Sequence, residues 1–141
     1  MTGATEAERR RVLVVVLSDL DADAVRKKLE APPGEELEVR VVAPMWEISR
    51  LDRLTGDDTA ERERAQERAG DAAEAARPVA RAVGAGPGDA DVLTAVEDEL
   101  RTFEADEILV LVSPRDRERM ADGDERTLER FGPPVSYSII G

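Results

Sequence analysis

The sequence predicts an α/β fold: a doubly wound, five-stranded parallel sheet with helices on both faces. Three observations predict it. Val12–Leu17 and Glu107–Ser113 are apolar on both faces yet too short for ordinary helices, the pattern of strands covered by helices on two sides. Between them lie stretches with apolar or small residues at helical spacing, above all Val92, Val96, Leu100 and Phe103. Strand-like and helix-like stretches alternate along the chain, and right-handed crossovers then make the strands parallel.

Taken in order, residues 1–8 are polar, lack a signal-peptide core and are expected to fray. A first strand is expected over Arg11–Leu17, with Ser18 and Asp19 at its carboxyl end. Either of these or Asp21 can cap the next helix, whose buried stripe is Ala22, Val25 and Leu29. Pro32-Pro33-Gly34 stops that helix. Leu37–Ala43 is a second strand, ended by Pro44. Met45–Asp58, with Trp46, reads as a loop holding at most one helical turn.

From Asp58 to Arg77, alanines at 65, 69, 72, 73 and 76 form a stripe that lets a helix approach a sheet closely. Val79–Gly84 is a candidate edge strand, and Gly84–Gly88 a loop leading to the next helix. Asp89 or Asp91 caps that helix, which delivers the chain into the strand Glu107–Ser113. The stretch after Ser113 is polar and interrupted at Gly123, with one short amphipathic helix using Leu128 and Phe131. Val135–Ile140 is the last strand. There is no repeat and no domain boundary, so residues 1–141 read as one domain.

Composition excludes several function classes. The chain has no cysteine and no histidine, which removes thiolate chemistry, the commonest general base and the usual transition-metal ligands; no metal site is expected. A net charge of −12 repels phosphate backbones and anionic lipid, so neither nucleic acid nor membrane is an expected partner. The densest basic run, Arg9-Arg10-Arg11, is short and reads as the solvated start of a strand. No apolar run reaches membrane-spanning length, and a cytoplasmic location is the expectation.

Three segments carry a resemblance: VVAP followed by SRLDRLTGDD, then GDADVLTAVEDELRTFEADEILVLVS, and finally ERFGPPVSYSII. With these in this order, the chain resembles the universal stress protein family, a branch of the adenine-nucleotide α-hydrolase-like folds, and most of all its divergent high-GC bacterial members. The resemblance implies a sheet order of 3-2-1-4-5. It also implies a ligand crevice at the carboxyl ends of strands one and four, where the order reverses. Nucleotide-binding members carry an aspartate at the end of strand one and a glycine-patterned phosphate loop after strand four. Here Leu17 stands at the first place, and no glycine follows Ser113 until Gly123. Backbone N–H groups approach phosphate closely where glycines allow it, so the missing loop is a physical deficit.

Two functions follow as expectations. One is a non-catalytic regulatory or stress-response module that acts through dimerisation and protein partners, without ATP or any other cofactor. The alternative is a small-ligand or adenine-nucleotide binder, or a weak nucleotide hydrolase, that holds ATP or AMP with arginines after strand four. The crevice residues would be Leu17, Ser18, Asp19, Ala43, Pro44, Ser113, Arg115 and Arg117. Arginine can grip phosphate bidentately, but Arg115, Arg117 and Arg119 alternate with Asp116 and Glu118, the pattern of a self-paired surface. Ser18 and Ser113 have no activating base near them in sequence. The last strand, with Val135, Tyr137 and Ile139 on one face, is the expected homodimer interface.

Overall fold

In β1 (Arg10–Val16) every second side chain points to the same face of the sheet, and from Val12 onwards both sets are apolar. Val12, Val14 and Val16 enter one core cluster; Leu13, Val15 and the following Leu17 enter a second on the opposite face. A strand that supplies both cores belongs at the centre, and β1 lies between β2 (Leu37–Pro44) and β4 (Glu107–Val112). The computed structural model describes residues 10–29, 36–45, 59–88, 91–119 and 128–140. Their five strands form one sheet, in the order β3-β2-β1-β4-β5, and each pairing is parallel. Val14 stands opposite Val41 on one side and Leu109 on the other.

The first cluster is covered by α1 (Ala22–Leu29) and α2 (Thr59–Ala76). Asp21 caps α1, its carboxylate accepting the Ala24 N–H at 3.1 Å. Val25 and Leu29 are buried, whereas Ala22, expected in the same stripe, is exposed in the first turn. In α2 the buried residues are Ala65, Ala69, Ala72 and Ala76, the small stripe read from the sequence. The second cluster is covered by α3 (Val92–Leu100), capped by Asp91, and by Phe103 and Leu128. Asp91 accepts the Leu93 N–H and the Thr94 hydroxyl, each at 3.1 Å. Asp89, residues 1–9 and Trp46 with the rest of 46–58 lie outside the described residues.

The third strand differs from expectation. β3 runs Arg81–Gly88 rather than Val79–Gly84, and the glycine-rich stretch expected as a loop is strand. Val79 and Ala80 do not begin it because their N–H groups turn back to the Ala76 carbonyl, at 3.0 and 2.8 Å, closing the end of α2. Packing requires one of its glycines. At Gly88 a Cβ would lie 2.7 Å from Val42 Cγ2 and 2.9 Å from Ala95 Cβ, so only glycine lets α3 sit directly on the strand end. Pro87 is accommodated because β3 is an edge strand.

A second difference follows β4. Ser113, expected as the last strand residue, instead starts α4 (Pro114–Arg119), a six-residue helix where the sequence reads as polar connection. Leu128 is buried in the second cluster and Phe131 packs against it, as expected of their short helix. Gly132, at φ +109°, turns the chain into Pro133, Pro134 and β5 (Val135–Ile139).

Candidate functional site

Parallel strands all end at the same side of the sheet. β1 then sends the chain towards the α1 face, while β4 leads on to the Leu128 segment over the α3 face. The tips of β1 and β4 are therefore the place where a crevice could open. Instead, Ser18, Ser113 and Asp116 close on one another there. Ser113 caps α4, its hydroxyl oxygen accepting the Asp116 N–H at 3.2 Å. Pro114 follows at the first helical position and Asp116 at the third, the order of a capping box.

In an ordinary capping box the carboxylate would reach back to the Ser113 N–H. Here Ser18 is inserted between them. Its Oγ accepts the Ser113 N–H at 3.0 Å and donates to Asp116 Oδ2 at 2.5 Å. A hydroxyl has one proton to give, and the carboxylate takes it, so the 3.2 Å approach of the two serine oxygens is one in which Ser113 donates. Ser18 is 3% and Asp116 9% exposed. A carboxylate is thus buried between the strand tips and accepts a hydroxyl 98 residues away in the chain.

The other expected site residues disperse. Leu17 points into the second core cluster and is fully buried, with its N–H donating to the Leu111 carbonyl at 3.0 Å. Ala43 is in the first cluster, and Pro44 is buried where β2 pairs with β3. Asp19 turns outwards and binds Arg68 of α2, Nε to Oδ1 at 3.1 Å. Arg115 is exposed on α4, and Arg117 lies over the Tyr137 ring, its guanidinium carbon 5.2 Å from the ring centroid. Arg10 and Arg11, in the basic run, pair with Glu107 and Glu38 at 3.4 and 3.2 Å. Of the expected crevice residues, Ser18 and Ser113 are joined through their hydroxyls, and the Arg117 N–H donates to the Ser113 carbonyl at 2.9 Å within the start of α4.

Sequence reading missed Asp116 and Arg68. The signal for Asp116 was present, since Ser-Pro-Arg-Asp after a strand spells a helix start with its cap. Arg68 carried none, because its burial depends on how α2 lies against α1. Among the described residues there is no group of three or more acidic side chains placed to hold a metal ion, and no helix long and apolar enough to cross a membrane.

No family model matches the chain, and no curated protein matches its sequence. Among solved structures, the chain is similar to a protein from the universal stress protein family from Burkholderia pseudomallei. That match is 23% identical with a TM-score of 0.52, and covers 90% of this chain and 94% of the other. It is also similar to a chain described as a hypothetical protein, at 19% identity and a TM-score of 0.48, covering 93% and 96% of the two chains. The first likeness establishes a shared fold: a five-stranded parallel sheet in the order 3-2-1-4-5 with helices packed on it.

Proposed function

We propose that this protein is a universal stress protein-like regulatory module, a member of the stress-response class that acts by homodimerisation and protein partners, without catalysis or bound ATP. The single observation that carries the reading is the Ser18–Ser113–Asp116 cluster at the tips of β1 and β4. A phosphate brought there would meet a buried carboxylate in place of glycine N–H groups, within a chain whose net charge of −12 offers no attraction at longer range. Ser18 is a poor nucleophile in this setting, since it is buried and its oxygen already accepts the Ser113 N–H. Of the arginines that could replace a glycine loop, Arg117 is already stacked on Tyr137. A cytoplasmic location fits this reading.

Calorimetric titration with ATP, ADP, AMP and cyclic AMP, with and without magnesium, tests it. The expected result is no binding tighter than about millimolar, a free energy near −4 kcal/mol. A micromolar dissociation constant, or nucleotide retained through purification, would reverse the reading. If such binding also fell steeply with salt and in Arg115→Ala, the arginines would be its source.

A further inference from the structure

Among the described residues the sheet has two outer strands, β3 and β5, and their free edges are built differently. Along a strand the N–H and C=O of one residue point to the same side, and the side alternates from residue to residue. On β5 the Pro134 carbonyl accepts the Ile108 N–H at 2.9 Å, and the Ile140 N–H donates to the Val112 carbonyl at 2.9 Å. Ser136 and Ser138 therefore turn their backbone groups to β4, whereas Val135, Tyr137 and Ile139 turn theirs outwards. The register with β4 is unbroken, so these outward residues present N–H and C=O groups in regular order.

On β3 the Gly88 carbonyl accepts the Met45 N–H at 3.2 Å. Gly84, Gly86 and Gly88 thus turn their backbone groups to β2, and Ala85 and Pro87 turn theirs outwards. Pro87 has no N–H to offer there. Towards the start of the strand the register slips: Ala82 stands opposite Val39 and Gly84 opposite Arg40, leaving Val83 as an extra residue, as in a bulge. Between this bulge and the proline, Ala85 is the one residue with a regular outward N–H and C=O. Exposed apolar surface does not separate the two edges, since Val83 is 42% exposed on β3 and Ile139 54% on β5. The backbone does.

We propose that Pro87 and the bulge at Val83 hold the β3 edge closed to strand pairing with a second copy of this chain, leaving β5 as the edge at which the sheet can extend. Two copies paired antiparallel about Tyr137 would exchange both hydrogen bonds at each outward residue of β5. Paired about Ala85, they would keep both bonds there alone, because Pro87 lacks the donor and the Val83 it would meet is out of register. With both edges open, β3 of one copy could pair with β5 of the next, a head-to-tail contact that continues without closing. A block at β3 confines association to a closed pair. The limit of two copies rests on the β5 dimer proposed above; the block at β3 does not.

The test is light scattering of the full chain over concentration and salt, for the unaltered protein, Pro87→Val and Pro87→Ala, each variant with and without Val83→Lys. Removing the proline gives position 87 an outward N–H beside Ala85. The expected mass is about twofold or more above that of the unaltered chain at the same concentration and salt, rising with concentration and reversing on dilution. Adding Val83→Lys should return the mass to that of the unaltered chain, because an edge lysine opposes pairing. Unchanged mass in both proline variants overturns the proposal, as does association that survives Val83→Lys. Irreversible aggregation or loss of the folded circular dichroism spectrum in both variants also overturns it, since the proline would then serve the folding of β3 itself. An unaltered chain that is monomeric and becomes dimeric in Pro87→Ala would refute the β5 dimer and leave this inference standing. An unaltered dimer that Pro87→Ala and Pro87→Val leave unchanged would do the reverse.

Discussion

The Ser18 hydroxyl and the Asp116 carboxylate meet at 2.5 Å across 98 positions of sequence, and this contact ties the tip of β1 to the first turn of α4. Ser18→Ala removes both a charge-assisted donor to a buried carboxylate and the acceptor of the Ser113 N–H. The expected loss is about 1.5–3 kcal/mol. Asp116→Asn keeps an oxygen to accept the hydroxyl and should cost less, about 1 kcal/mol. The double variant should show a coupling of at least about 0.5 kcal/mol. Urea denaturation measures all three. Additive losses would mean that the two residues contribute separately and that the strand tips are held by something else.

Two glycines should respond to alanine with opposite sign. Gly88 has no room, with Val42 Cγ2 and Ala95 Cβ inside 3 Å of an added Cβ, and neither atom belongs to a side chain that can swing away. Gly88→Ala is expected to destabilise by about 1–3 kcal/mol through overpacking. Gly70 sits inside α2 and an added Cβ would meet nothing within 4 Å. Gly70→Ala should stabilise by about 0.5–1 kcal/mol, because alanine loses less backbone freedom on entering a helix. Thermal and urea unfolding of the two variants check the pair, and a shared sign would contradict the packing described at β3.

Leu128 is fully buried among Phe103 and the inward residues of β1 and β4. It closes the second core where α3 alone leaves the sheet uncovered. Leu128→Ala should cost about 2–5 kcal/mol, as a cavity in a packed core does. A loss under about 1 kcal/mol would show that the segment is docked loosely.

What was legible in the chain depended on how locally each feature is caused. β1 and β4 announce themselves because burial on both faces requires both sets of alternating residues to be apolar, whatever the neighbours are. The α3 cap was legible for the same reason, since Asp91 acts on groups two and three residues away. β3 was not. Its Gly-Ala-Gly-Pro-Gly stretch has a loop's composition, and it is strand because the edge of β2 offers it partners and α3 leaves room only for glycine at position 88. The tip cluster was half legible: Ser18 and Ser113 were placed together by fold analogy, while Asp116 reads locally as one charge in an alternating series. Its burial is decided by a serine at the far end of another strand.

The homodimer proposed through β5 makes a prediction in which charge and apolar contact can be separated. Among the described residues β5 is the last strand of the sheet, paired to β4 on one side only, and Ile139 is 54% exposed on it. Val135 and Tyr137 are half-buried against the second cluster, so Ile139 is the member of the expected interface with most surface left to cover. Strand pairing across a two-fold axis would cover it and occupy the outer backbone edge. Two chains of net charge −12 repel, so added salt should strengthen the dimer. Ile139→Lys makes each chain less acidic and would favour association if long-range charge alone decided it. A lysine on an edge strand nonetheless opposes pairing, and the variant is expected to be monomeric at a salt concentration where the unaltered protein is dimeric. Light scattering across a salt series decides the matter: a monomeric mass for the unaltered chain at high concentration and salt refutes the dimer, and a dimer indifferent to Ile139→Lys moves the interface elsewhere.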